Sequence, residues 1–141
     1  MADKPLTPEQ KKAIETDGSL IVSAAAGSGK TFVLVRRIIN KLLREDNPVS
    51  IDRLLIVTFT RAAANEMRQR LGVALEKKIA EDPTNVFLQR QQAMLPLAEI
   101  CTMDQYFNSL VKDNFHRLKI TPDFRMLDES EADMLADEAL D

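Results

Sequence analysis

One cysteine, Cys101, and one histidine, His116, are all that 141 residues provide of either type. A lone cysteine excludes an internal disulfide framework and suits a reducing compartment. A lone histidine with no ligand cluster or catalytic partner beside it reads as a surface helix residue. Long apolar runs are also missing. The stretches near Phe32 and Leu54 fall far short of the ~20 residues that a membrane span needs. The polar opening MADKPLTPEQKK predicts no signal peptide, so the expected location is cytoplasmic, with no membrane partner. Internal repeats and low-complexity segments are absent as well.

What is present is ordinary for a globular domain: 45% hydrophobic and 29% charged residues, enough to bury a core. The net charge of −3 conceals an asymmetry. Residues 128–141 hold seven acids and no base, and the other 127 residues carry 19 basic against 15 acidic side chains, a balance of +4. A mildly basic body permits a nucleic-acid partner without requiring one.

Thr7-Pro8-Glu9-Gln10 predicts a helix start, with threonine as N-cap, proline at the first helical position and glutamine closing a capping box. Asp17-Gly18 ends that helix. Leu20-Ile21-Val22 reads as a short buried strand. A glycine-containing loop follows, then a helix to about Arg44 with Val35, Ile38, Ile39, Leu42 and Leu43 on one face. After Asn47-Pro48, residues 54–59 (LLIVTF) read as a second buried strand. A long helix from Arg61 places Ala63, Met67, Leu71, Leu75 and Ile79 at four-residue spacing, and Asp82-Pro83 stops it. A polar helix over Val86 to Met94 leads to Pro96 and a third, weaker strand at Ile100-Cys101-Thr102. A helix from Asp104 to about Leu118 and an acidic helix from Ser130 complete the pattern. Alternating strands and helices predict an α/β domain with a parallel sheet. The last helical pattern is still running at Asp141, as expected of a piece of a longer chain.

Between the first strand and its helix lies Ala24-Ala25-Ala26-Gly27-Ser28-Gly29-Lys30-Thr31. This matches G-x-x-x-x-G-K-[ST] except that Ala24 replaces the first glycine. In such a loop, Gly27 and Gly29 let successive backbone N–H groups turn toward phosphate oxygens at a helix N-terminus. Lys30 is placed to reach the β- and γ-phosphates, and Thr31 to give its hydroxyl to Mg²⁺. The nucleotide is expected to be ATP. Ala24 fits the loop provided its position needs no positive φ.

SAAAGSGKT together with LLIVTFTRAAANEMRQRL resembles the first motor lobe of UvrD-like superfamily 1 DNA helicases, and within them the AddA type of helicase–nuclease polypeptide. The resemblance runs from LTPEQKKAI to PDFRMLDESEADML. It implies a P-loop NTPase with a RecA-like parallel sheet flanked by helices, here a partial lobe over 1–127 with 128–141 opening a following segment. It also implies ATP-driven movement on single-stranded DNA in double-strand break repair and recombination, and a second, AddB-like subunit. The nuclease would lie elsewhere in such a protein. Gln10 falls where the family reads adenine, while the residues alone make it a capping-box partner of Thr7, a role that competes for the same amide. Residues 58–67 (TFTRAAANEM) resemble a DNA-binding motif. Phe59 is the candidate stacking surface, and Thr60 and Arg61 are the candidate phosphate donors, with Arg61 where asparagine is more usual. Thr102 matches a further DNA-contacting segment in which Asp104 replaces histidine, and Asp104 reads first as an N-cap.

Met126-Leu127-Asp128-Glu129 only superficially resembles the Mg²⁺-holding acid that follows an apolar strand. That acid is expected beyond Asp141, so the stretch should bind nucleotide better than hydrolyse it. Cys101 reads as a small buried hydrophobe, and Arg36, Arg37, Arg68 and Arg70 as solvated helix faces. The rival functions are a stand-alone P-loop NTPase or kinase acting on a small molecule, and an interaction module with a vestigial loop.

Overall fold

The computed structural model describes residues 5–25, 27–44, 46–121, 123–125, 127 and 129–139. It divides into two compact units, Met1–Met103 and Asp104–Asp141. The first is an α/β unit containing helices α1 (Pro8–Glu15), α2 (Lys30–Leu42), α3 (Arg61–Glu81) and α4 (Val86–Met94) and strands β1 (Leu55–Thr58) and β2 (Glu99–Thr102). The strands pair in parallel with Leu55 opposite Glu99 and Thr58 opposite Thr102, so their carboxyl ends lie side by side. A parallel pair needs a crossover, and α3 with α4 supplies it.

The four-residue spacing in α3 buries Met67, Leu71 and Leu75 against α2, α4 and the sheet. The innermost N-terminal contact is Ala64 rather than Ala63, one position from the expectation, and Ile79 packs at the margin. Val35, Ile38, Ile39 and Leu42 of α2 complete this core with Ile51, Ile56, Leu88, Leu95, Ala98 and Ile100. Gln91 of α4 is buried as well. Its Oε1 accepts from the Ile51 N–H at 2.7 Å and the Ser50 hydroxyl at 3.3 Å, tying α4 to the short 3-10 turn Ile51–Arg53.

Two strand expectations are corrected. Leu20-Ile21-Val22 forms no strand, and Ile21 is 95% exposed. A strand exists only where another chain segment takes up its N–H and C=O groups, and the described residues contain a two-stranded sheet of β1 and β2 alone. β1 is not buried on both faces: Ile56 points into the core, while Leu55 and Val57 alternate outward and are exposed.

In the second unit, the single helix expected over 104–118 is two: α5 (Met103–Asp113) and α6 (Phe115–Leu118), parted at Asn114, which leaves helical backbone geometry. Helix α5 begins at Met103, so Asp104 lies within its first turn rather than at the N-cap. Helix α7 (Glu129–Glu138) carries the acidic stretch. No helix among the described residues is long and apolar enough to cross a membrane.

Candidate nucleotide and nucleic-acid sites

The phosphate loop is built around two left-handed glycines. Gly27 has φ 76°, and Gly29, at φ 87°, stands as the N-cap of α2. A side chain at either position would be strained, which is the physical reason for glycine there. Ala24 has no positive φ, so the alanine in place of the first glycine is accommodated. The first intrahelical bond of α2 runs from the Val33 N–H to the Gly29 carbonyl at 2.9 Å. The N–H groups of Lys30, Thr31 and Phe32 precede it, and no side chain caps them. Those donors and the positive end of the helix dipole suit an anion. Lys30 curls over the loop, its Nζ donating to the carbonyls of Ala24 at 2.5 Å and Ala25 at 2.9 Å. Ala26 lies outside the described residues. Beyond the loop, the Arg36 guanidinium sits 4.8 Å from the centre of the Phe32 ring.

Helix α1 opens with the full capping box. The Gln10 N–H donates to Thr7 Oγ1 at 3.2 Å, and Gln10 Oε1 accepts from the Thr7 N–H at 3.1 Å. The same amide reaches the phosphate loop, Nε2 donating to the Ser28 carbonyl at 3.4 Å. A carboxamide has two N–H donors and two lone pairs. These contacts use one of each, leaving one donor and one acceptor. Capping and base recognition are therefore compatible, where the sequence alone set them in competition.

At the other candidate site, the turn between β1 and α3 presents Phe59 fully exposed, beside exposed Thr60 and Arg61. Thr60 Oγ1 accepts from the Ala63 N–H at 3.1 Å and caps α3. Thr58 Oγ1 donates to the Thr60 carbonyl at 2.9 Å and fixes the turn. An aromatic ring held out in water at the carboxyl end of a parallel strand, next to a helix N-terminus, lies where α/β folds take ligands. Thr102 ends the neighbouring strand but is 7% exposed, so its side chain faces inward. Among the described residues no cluster of His, Cys, Asp and Glu could hold a metal. Met126 and Asp128 of the superficial acidic motif fall outside them. Burial, with Glu99 nearby, pushes the Cys101 thiol up, so it is not poised as a thiolate.

Two arginines depart from the solvated reading. Arg68 donates to the carbonyls of Leu95 at 2.9 Å, Ala98 at 3.2 Å and Ile100 at 3.2 Å, clasping the approach to β2. Arg37 donates to the carbonyls of Ala13 at 2.7 Å and Thr16 at 2.6 Å, clasping the end of α1. A signal existed in the sequence: Arg37 lies four residues after Val33 and Arg68 three before Leu71, so each borders an apolar stripe.

Residues 6–141 of a chain with this geometry match the UvrD/REP helicase N-terminal domain. The chain is 51% identical over 141 residues to the AddA ATP-dependent helicase/nuclease subunit of Lachnoclostridium phytofermentans, covering 99% of this chain and 10% of that protein. The protein of the same name from Oceanobacillus iheyensis is 52% identical over 136 residues, and that from Clostridium acetobutylicum 49%, each covering 96% of this chain and 11% of the relative. The chain thus spans about a tenth of the length of the curated relatives it matches.

Proposed function

The chain belongs to the UvrD/REP helicase N-terminal domain family, and we propose that it is the RecA-like, ATP-binding part of an ATP-dependent DNA helicase–nuclease subunit. The observation that carries this is the loop itself: two left-handed glycines lead into the uncapped N-terminus of α2 with Lys30 folded over it. In this reading the loop from Ala24 to Thr31 cradles the phosphates, and Lys30 exchanges its bonds to Ala24 and Ala25 for phosphate oxygens. Half-buried Thr31 gives its hydroxyl to Mg²⁺. Gln10 offers adenine its remaining donor and acceptor, matching N7 and N6.

Phe59 stacks a base of single-stranded DNA, while Thr60, Arg61 and the start of α3 meet the backbone. Thr102 is the least accessible of the proposed DNA set. Movement on the strand serves double-strand break repair and recombination, in the cytoplasm. The relatives are named as one subunit of a larger enzyme, which supports an AddB-like protein as the partner. None of the residues named supplies the Mg²⁺-holding acid, so this stretch binds nucleotide rather than hydrolysing it unaided.

The test uses the full-length polypeptide that carries this chain. ATP hydrolysis should rise on adding oligo-dT, and oligo-dT binding should weaken with salt and fall by about 1–3 kcal/mol in Phe59→Ala. Salt-dependent binding left unchanged by Phe59→Ala combined with Arg61→Ala overturns the DNA assignment. Phosphoryl transfer to a small acceptor, indifferent to oligo-dT, supports a small-molecule kinase instead.

A further inference from the structure

Helix α1 has little of its own to hold it in place. Eight residues are too few for a stable isolated helix, and Ile14 is its one buried side chain. It packs on α2, and neither Ile14 nor the buried Val33 of α2 belongs to the main core. The link from Gln10 to the phosphate loop is a single long hydrogen bond of 3.4 Å. Against these weak attachments stands Arg37. From the side of α2 it donates at 2.7 and 2.6 Å to the carbonyls of Ala13 and Thr16, and at 3.4 Å to that of Gly18. Carbonyls in the last turn of a helix lack intrahelical donors, and a cation there complements the helix dipole. The planar guanidinium satisfies several of them at once, which an ammonium cannot do in the same geometry.

We propose that Arg37 is a positioning residue for base recognition: by capping α1 from α2, it holds Gln10 in register with the phosphate loop. Ala13 is three residues from Gln10, less than one helical turn, so a clasp at that carbonyl fixes where the Gln10 amide sits. Arg37 and the loop's Lys30 and Thr31 belong to one helix, so α2 serves as the common frame for the phosphate and base contacts. The proposal rests on Gln10 contacting adenine, and its test separates the two ideas.

In the full-length polypeptide, equilibrium binding of ATP, GTP and tripolyphosphate is compared, each with Mg²⁺, for wild type, Gln10→Ala, Arg37→Ala, Arg37→Lys and the double alanine variant. Amide hydrogen exchange in α1 is followed in parallel. Arg37→Ala should cut the ATP-over-GTP preference about fivefold, the scale of one or two net hydrogen bonds. Gln10→Ala should do the same, the double variant no more, because the two residues act through one contact. Arg37→Lys should retain an intermediate preference, and exchange at the Thr16 N–H, bonded to the Lys12 carbonyl, should quicken in Arg37→Ala. Undiminished preference in Arg37→Ala beside its loss in Gln10→Ala overturns the positioning role, as does unaltered exchange in α1. An equal fall in tripolyphosphate affinity overturns it too, because the arginine would then be supporting the whole loop. A wild-type protein with no preference for ATP, or one keeping it in Gln10→Ala, overturns the adenine contact itself, while the exchange data still judge the clasp.

Discussion

The chain contains two apolar segments of similar promise, and they meet different fates. Leu55–Thr58 is a strand because β2 lies alongside it in register and α3 packs on it. Leu20-Ile21-Val22, just as apolar, stands unpaired with its side chains in solvent. The first segment sits in a region held by a continuous core, the second in one held by backbone clasps and caps. Apolar composition favours burial, but a strand also needs a neighbour for its polar backbone. The nucleotide end of the first unit is thus organised by hydrogen bonds to Arg37, Gln10 and Lys30, and the sheet end by packing around Leu71 and Leu75.

This contrast can be broken most forcefully from the core side. Leu75→Ala, at a fully buried position of α3, should cost about 2–5 kcal/mol in denaturant unfolding. Ile21→Ala, made in the exposed segment, should change stability by no more than about 0.5 kcal/mol. Comparable losses from both would mean that Ile21 is packed after all. Next in size, Lys30→Ala should weaken Mg·ATP roughly tenfold to a hundredfold, the scale of a charge-assisted hydrogen bond, while the unfolding midpoint stays put. Thr7→Ala should remove about 1 kcal/mol by opening the capping box of α1, seen as faster amide exchange there rather than in α3.

The smallest effect concerns pH. Arg44 pairs with Asp17 and Asp46, and its hydrogen bonds hold both carboxyls below the ordinary carboxylate range. A depressed folded-state pKa gives stability that is present above the unfolded value and lost as pH falls through the folded one. These groups are exposed, so the effect is slight and salt-sensitive. Acid titration should release the segment after α1 at a pH below about 4, and Arg44→Ala should abolish that step.

Local chemistry was legible wherever a few neighbouring residues carry the whole cause. Thr7-Pro8-Glu9-Gln10 specified its cap, Gly27 and Gly29 their positive φ, Val86–Met94 its helix, and the stripe through Met67, Leu71 and Leu75 its buried face. The break at Asn114 was not legible, because periodicity runs across it unchanged. The inward turn of Thr102 was hidden as well, since a strand's last residue faces in or out according to what covers it.

By itself, then, the sequence determined the order of the helices and of the paired strands, the phosphate loop and the exposed Phe59 turn, all properties of residues within about a turn of one another. Only the tertiary structure decided which apolar segments became strands and that Gln10 spans from its cap to the Ser28 carbonyl. It alone decided that Arg37 and Arg68 bind backbone instead of water. The reason is the same in each case. A hydrogen bond between residues 18 to 32 positions apart depends on where two elements come to lie, which no local pattern encodes.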